Sequence, residues 1–330
     1  MRVQALYEAG GERLEQDSIL HGVMTNYAFR VYDWKWLNAQ SCALNTSAGA
    51  KILRLDRDAR LVAARGQLLD ELAAARFRRT PRHIRTIYGD AHVLERGYVC
   101  TVSDDMKNAA LSRTRDDVAA AADNLGCLHA ALSEVTCQHL FPEPGARVSE
   151  MIGSALASLD DGRVLCRNAS SAFSDLLCAN IDKVQHKAYL AQSLMDSAGL
   201  DARERSGQSK HSLSFGAYGL DRLAWTQWNR VATLDFGDLR RADSEWDLYT
   251  FCRELYVKGM NDWIPEALSV YGERMGPSED RNRRAMAYAA FPFAVSGLVG
   301  EYQRSRQKEH PGWSAALYEA LTLDGGAGRE

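Results

Sequence analysis

Acids and arginines able to act on a phosphate group lie close together in one part of the chain. The stretch "LSFGAYGLDRLAW" (213–225) holds a single carboxylate, Asp221, directly before Arg222. An apolar run then ends in Asp235 of "TLDFGDL", followed by Asp238 and the pair Arg240–Arg241, and Asp247 comes next in "WDLY". An aspartate at the end of an apolar strand can hold a divalent cation, or it can cap a turn. Far upstream, "GAKILR" carries Lys51 and Arg54. Three residues apart on a strand, they point to opposite faces. Phosphoryl transfer needs a metal ion on the phosphates, positive charge over them, and a carboxylate that orients and deprotonates the acceptor hydroxyl.

These residues need elements to position them. "NYAFRVYDW" (26–34) and "AKILRL" (50–55) are apolar, partly alternating runs, with turn chemistry in "NTSAG" (45–49) between strand candidates. Residues 57–77 place Leu61, Ala64, Leu68, Leu69 and Leu72 at helical spacing. "TIYGDAHVLERGYVCTVSDD" (86–105) reads as two strands around a Gly-Asp turn. Beyond it the character becomes helical. The Ala-rich run 114–132 has Thr114 as N-cap and acids in its first turn. Helical patterns fill 149–198, with an interruption expected near "DDGR" (160–163), and 199–212 reads as a polar loop. "NRVATLDFGDL" (229–239) returns to a strand, and the remainder is helical to about residue 323. The organisation expected is a strand-rich unit over 1–103 and a helical unit over 104–330, joined near "SDDMKN" (103–108).

Bulk properties exclude several classes. With 330 residues, 46% hydrophobic and 25% charged, the chain has globular composition. A net charge of −3 predicts no general affinity for nucleic acid or an anionic membrane surface. The basic stretch "RFRRTPRHIR" (76–85) could bind an anion, and reads otherwise as a solvated face. Seven scattered cysteines without a C-x-x-C pair suit a reducing compartment. The N-terminal residues lack a signal-peptide core, and no apolar run approaches the roughly 20 residues of a bilayer span. A soluble, cytoplasmic product is expected.

Several segments, in order, carry a family resemblance. "FGAYGLDRL", "TLDFGDL" and "WDLYTFCREL" (246–255) resemble the catalytic loop, metal aspartate and following helix of aminoglycoside- and choline-kinase-like phosphotransferases, and within them the spore-coat CotS-type proteins. "ALNTSAGAKILR" (43–54) is similar to the family's strand-turn-strand, "RTPRHIRTIYGD" to its next strand, and "NLGCLHAAL" (124–132) to its Leu-His helix. "FPFAVSGLVGEYQRSRQKEHPGW" resembles its C-terminal pattern. The resemblance implies an α+β, protein-kinase-like two-lobed fold with a small strand-rich lobe and a larger helical one.

It also implies what each position should do. The family's loop reads C-H-G-D-Y-H-x-x-N-V-L. Its general-base aspartate falls on Ala217, whose methyl accepts no proton; losing such a base costs about 10²–10⁴-fold. Its metal-ligand asparagine falls on Arg222, which would repel a cation but could contact phosphate directly. Its histidine falls on Phe215, and His211 lies out of frame to replace it. Asp221 is the possible substitute acid, or else a surface partner of some cation. Gly216 keeps the loop's shape, and Asp247 reads as a structural buttress with loop amides or Arg222 as partners. The metal position in 235–237 is Asp235. The phosphate-binding cation is Arg54, with Lys51 as the alternative under a shifted alignment; Asp70 or Glu71 on the next helix is its acid, or else a solvated helix acid. His129 reads as a satisfied core histidine. No Gly-x-Gly-x-x-Gly is written in "LHGVMTNYAF" (20–29).

The resemblance thus implies a pseudokinase of the spore coat, made in the mother-cell cytoplasm and assembled with other coat proteins. It would be a scaffold rather than an enzyme, and ATP and Mg would bind only in a competent site. Two alternatives stand beside it. One is an active small-molecule or sugar phosphotransferase using Asp235, Arg54, Arg222 and Asp221. The other is a metal-independent nucleotide sensor.

Overall fold

In the computed structural model the described residues run from 16 to 325, apart from 144, 169–170, 207–211, 217, 235, 237, 306–309 and 311. A helix, α1 (residues 16–24), precedes the first strand. The strand expected from residue 26 begins later, because the Asn26 side chain donates to the Gly22 and Val23 carbonyls (3.1 and 3.3 Å) and closes α1. The chain then forms β1 (Val31–Asn38), β2 (Ser41–Thr46) and β3 (Gly49–Asp56), followed by α2 (Ala59–Ala74). Asp58 caps α2, its side chain accepting from the Leu61 amide at 2.9 Å. β4 (Val93–Glu95) and β5 (Tyr98–Asp104) come next. Their hairpin turns at Arg96–Gly97 and not at Gly89–Asp90; both turn residues have positive φ (49° and 78°), the handedness that matches strand twist. The five strands form one antiparallel sheet in the order β1-β2-β3-β5-β4. One face packs Cys42, Leu44, Leu53, Leu55, Cys100 and Val102 into a core with α1.

Further on lie β6 (Ala109–Ala110), α3 (Arg115–Leu132), α4 (Val148–Asn168), α5 (Ala172–Ser197) and α6 (Leu200–Arg205). Thr114 caps α3 as expected, in a reciprocal pair with Asp117. α4 runs straight through 160–163, where an interruption was expected. Gly162 faces the other helices there: a Cβ would lie 3.1 Å from Val299 and 3.5 Å from Leu177, so the glycine serves close packing. Residues 200–205, expected as loop, are helical. Then come β7 (Leu213–Ser214), β8 (Leu223–Trp225), β9 (Val231–Thr233), β10 (Arg240–Arg241), α7 (Glu245–Val257), α8 (Ile264–Met275), α9 (Glu279–Ala290), α10 (Phe293–Arg304) and α11 (Gly312–Leu323).

The chain divides into two compact units. The first comprises Met1–Leu111, Ala131–Phe141 and Asp221–Gly237 and contains the five-stranded sheet, α2 and the small sheet β6-β8-β9. The second comprises Ser112–Ala130, Pro142–Leu220 and Asp238–Glu330 and is mostly helical. In it α7 packs on α9, and α4 packs on α5 and α10. Arg284 of α9 is buried against Glu245 of α7 at 2.9 Å, with the Tyr249 hydroxyl on the same carboxylate at 2.6 Å. The small strand-rich unit and larger helical unit match the α+β expectation. No described helix is long and apolar enough to cross a membrane.

Candidate functional site

Strand register builds a cavity in the first unit. Across β2, β3 and β5, Ser41 pairs with Arg54 and Arg54 with Thr101; two residues along, Ala43 pairs with Ile52 and Ile52 with Ser103. Directly paired residues share a face, so these side chains leave the core and line a cavity of about 430 Å³. That volume lies in the range of small-molecule sites, about 300–1,000 Å³. The Arg54 rung is polar, and Asn38 at the β1–β2 turn extends it; the Ile52 rung is more apolar, and Met106 and Leu234 also line the cavity. A ligand with a charged end and an apolar end would fit that gradient.

The same alternation separates Arg54 from Lys51. Lys51 lies on the core face with Leu53 and Leu55, and its amine binds Asp104 (2.8 Å) and the Ala48 carbonyl. Arg54 lines the cavity. Neither acid expected to accompany it is available: Asp70 pairs with Arg82 and Arg85 (3.2 and 2.7 Å), and Glu71 accepts from the Thr136 amide at 2.5 Å. α2 instead presents Arg65, which binds Asp56 at 2.7 Å. His83 also lines the wall, and its Nδ1 is buried without a hydrogen-bond partner. Burial, reinforced by the charges of Arg65 and Arg54, pushes His83 down to about 4, so the ring is neutral at pH 7. Arg54, Arg65 and Lys107 stand against Asp56, Asp104 and Asp105 in the lining, so with a neutral imidazole the cavity carries no formal net charge, and its positive charge is local to the two guanidinium groups.

Arg65, Asp56, His83 and the β1–β2 turn were not singled out from sequence. For Arg65 a signal existed, because it occupies the buried stripe of α2 alongside Val62, Leu68, Leu69 and Leu72. Residues 20–29, where a phosphate-covering loop would stand in the resemblance, form the end of α1 and the turn after it. The hairpin turn at the cavity is Asn38–Ser41, which contains no glycine and is fastened by the Gln40 amide donating to the Asn38 side chain (2.8 Å).

In the second unit, Asp247 organises the segment 214–216. Its carboxylate is fully buried and accepts from the Phe215 amide (2.7 Å), the Gly216 amide (2.9 Å), the Ser214 hydroxyl (2.8 Å) and His129 Nε2 (3.1 Å). Burial keeps the Tyr271 phenol protonated, well above its ordinary range. Its hydroxyl lies 2.8 Å from His129 Nδ1, so both ring nitrogens of His129 have a partner. His129 is therefore a satisfied core histidine. Gly216 has φ +85°, and a Cβ there would lie 2.6 Å from the Asp238 carbonyl oxygen, so only glycine fits. The Phe215 ring is buried edge-on against Tyr218, at a centroid distance of 6.0 Å.

Ala217, Asp235, Gly237 and His211 lie outside the described residues. Phe236, beside Asp235, is buried and lines the cavity. Asp221 and Arg222 belong to the first unit, where the Arg222 carbonyl accepts from the Leu234 amide at 3.1 Å. Among the described residues, no three His, Cys, Asp or Glu side chains converge as a metal site.

No family model matches the chain, and no curated protein matches it. Solved structures do. An aminoglycoside phosphotransferase from Alicyclobacillus acidocaldarius superposes with a TM-score of 0.76 at 15% identity, over 93% of this chain and 92% of that one. The fold is that of an aminoglycoside phosphotransferase. A microcompartment-associated aminopropanol kinase aligns over 93% of this chain and 95% of its own, with a TM-score of 0.58 and 15% identity. A spectinomycin phosphotransferase solved with ADP and spectinomycin aligns over 94% and 93%, with a TM-score of 0.57 and 10% identity. At these identities the aminoglycoside-phosphotransferase likeness establishes architecture alone.

Proposed function

We propose that this chain is a kinase-fold binding protein that holds a nucleotide without transferring its phosphate. The observation carrying the reading is a loop kept in shape without its acting groups. Asp247 and Gly216 still fix the segment 214–216, while the positions resembling base, metal ligand and histidine are Ala217, Arg222 and Phe215. A nucleotide is supported by the first unit's cavity, whose polar, positively charged rung adjoins an apolar one, and by the ADP bound to the spectinomycin phosphotransferase. Arg54 and Arg65 would carry the phosphates, and Ile52 with Met106 and Leu234 the base. Asp235 is the residue that would hold Mg, and ATP binding in this reading does not require it. Residence in the spore coat, with coat proteins as partners, rests on the resemblance of "WDLYTFCREL" and the segments around it; recovery of the chain in coat extracts of purified spores tests it.

The experiment for binding is thermal unfolding with ATP, with and without magnesium, alongside an assay for ADP release. Ligand at about 100 times its Kd adds about 2.7 kcal/mol of stability. A shift that persists in EDTA, is lost in Arg54→Gln, and comes without ADP release is the expected result. Magnesium-dependent ADP release abolished by Asp235→Ala would overturn it in favour of an active phosphotransferase. No shift at all would leave a scaffold without nucleotide.

A further inference from the structure

The second unit carries an arginine, Arg240, without an ion pair among the described residues. Arg240 in β10 pairs with Ser214 in β7, so it stands beside the segment that Asp247 holds. Its guanidinium lies over the Trp246 ring, 5.4 Å from Cζ to the centroid, and Trp246 in turn donates to the Gly216 carbonyl at 3.2 Å. Tyr288 meets Trp246 edge-on at 5.7 Å. Several other arginines of this unit have carboxylates: Arg241 has Glu143 at 3.1 Å, Arg203 has Asp243 at 2.5 Å, Arg284 has Glu245 at 2.9 Å, and Arg253 has Asp324. Arg281, whose Nε is also buried and unpartnered, has its Nη2 on the Gly276 carbonyl at 2.6 Å. Arg240 has no carboxylate among the described residues, and its Nε is buried without a hydrogen-bond partner. The neighbouring acids Glu143 and Asp243 are already engaged.

A buried charged donor with no acceptor is costly, and a bound acceptor relieves that cost. The indole face offers the guanidinium a cation–π contact but accepts none of its in-plane N–H groups. Such a fork matches two oxygens of a carboxylate or phosphate. On one side Nη1 stands beside Gly145, where even an added Cβ would be 3.7 Å away, so this residue places no side chain against it. We propose that Arg240 on its Trp246 platform is an anion-recognition site for a small molecule bearing a carboxylate or a phosphate monoester. The site lies wholly within the second unit and is independent of the nucleotide reading of the first.

The test follows the Arg240 Nε–H resonance in ¹⁵N-labelled protein, assigned by its disappearance in Arg240→Lys. Inorganic phosphate and citrate are titrated separately, with calorimetry in parallel. A saturable shift is expected with at least one probe, and the probe that saturates identifies the oxyanion. Affinity should fall about tenfold or more in Arg240→Gln, the loss of a charge-assisted bidentate pair, and remain unchanged in Arg54→Gln. Absence of a saturable shift with both probes, or equal affinity in Arg240→Gln, overturns the proposal. If Arg240→Gln does not fold, the titration of the unmodified protein decides alone.

Discussion

Replacing Asp247 by alanine removes the acceptor of four hydrogen bonds at once, and the geometry says which losses are expensive. The Gly216 amide keeps a second acceptor in the Ser214 hydroxyl at 3.0 Å, and that hydroxyl, which donates to Asp247 at 2.8 Å, can rotate its own proton away. The Phe215 amide and His129 Nε2 have Asp247 as their acceptor and lie in a buried setting. Two stranded donors at about 1–3 kcal/mol each give about 4 kcal/mol in all. Asp247→Asn retains one carbonyl oxygen but turns an NH₂ toward donors, so about 2 kcal/mol is expected. Urea unfolding followed by circular dichroism is the assay, and at a slope of about 3 kcal/mol/M the alanine variant's midpoint should fall by about 1 M. A double-mutant cycle with His129→Leu should show strong coupling, because the second substitution removes a donor that the first had stranded. A loss below about 1 kcal/mol in Asp247→Ala would refute the argument that this carboxylate anchors the loop.

Two further outcomes follow from the same structure. His83 in the folded protein sits at about 4 against an ordinary 6.5, so as pH falls the unfolded chain takes up the proton first. Its contribution is fully present above pH 6.5 and lost toward pH 4, up to about 3 kcal/mol; stability-versus-pH curves of the wild type should fall more steeply in that window than those of His83→Gln. Gly216→Ala combines a positive φ with a 2.6 Å contact to the Asp238 carbonyl oxygen, and should cost about 3 kcal/mol in the same urea assay.

The sequence carried the architecture well where local chemistry and tertiary packing agree. Thr114 with Asp117 marks the start of α3 in both, and the stripe of residues 57–77 became α2. It misled where a glycine has two uses. Gly89 and Gly97 both have positive φ, and periodicity alone cannot say which one turns the hairpin. Gly162 resembled a break and proved to be a point of close helix packing. The cavity wall was hidden for a related reason. Arg65 belongs to an apolar stripe by position, and its role depends on Asp56, which faces it from another element. His83 gains its neutrality from burial and from two arginines distant in sequence.

The path of the chain between its units has a consequence for anyone who would take the molecule apart. It changes unit five times, at 111/112, 130/131, 141/142, 220/221 and 237/238. No single cut releases either unit as one contiguous piece. A fragment ending at residue 111 would lack Thr136, whose amide satisfies Glu71, and Thr233, whose amide satisfies the Arg79 carbonyl. It would also strip β6 of its partner β8. Recombination between relatives at one crossover point would therefore graft an incomplete sheet-bearing unit onto a helical unit missing its own inserts. The smallest transplantable module is the interlaced chain itself.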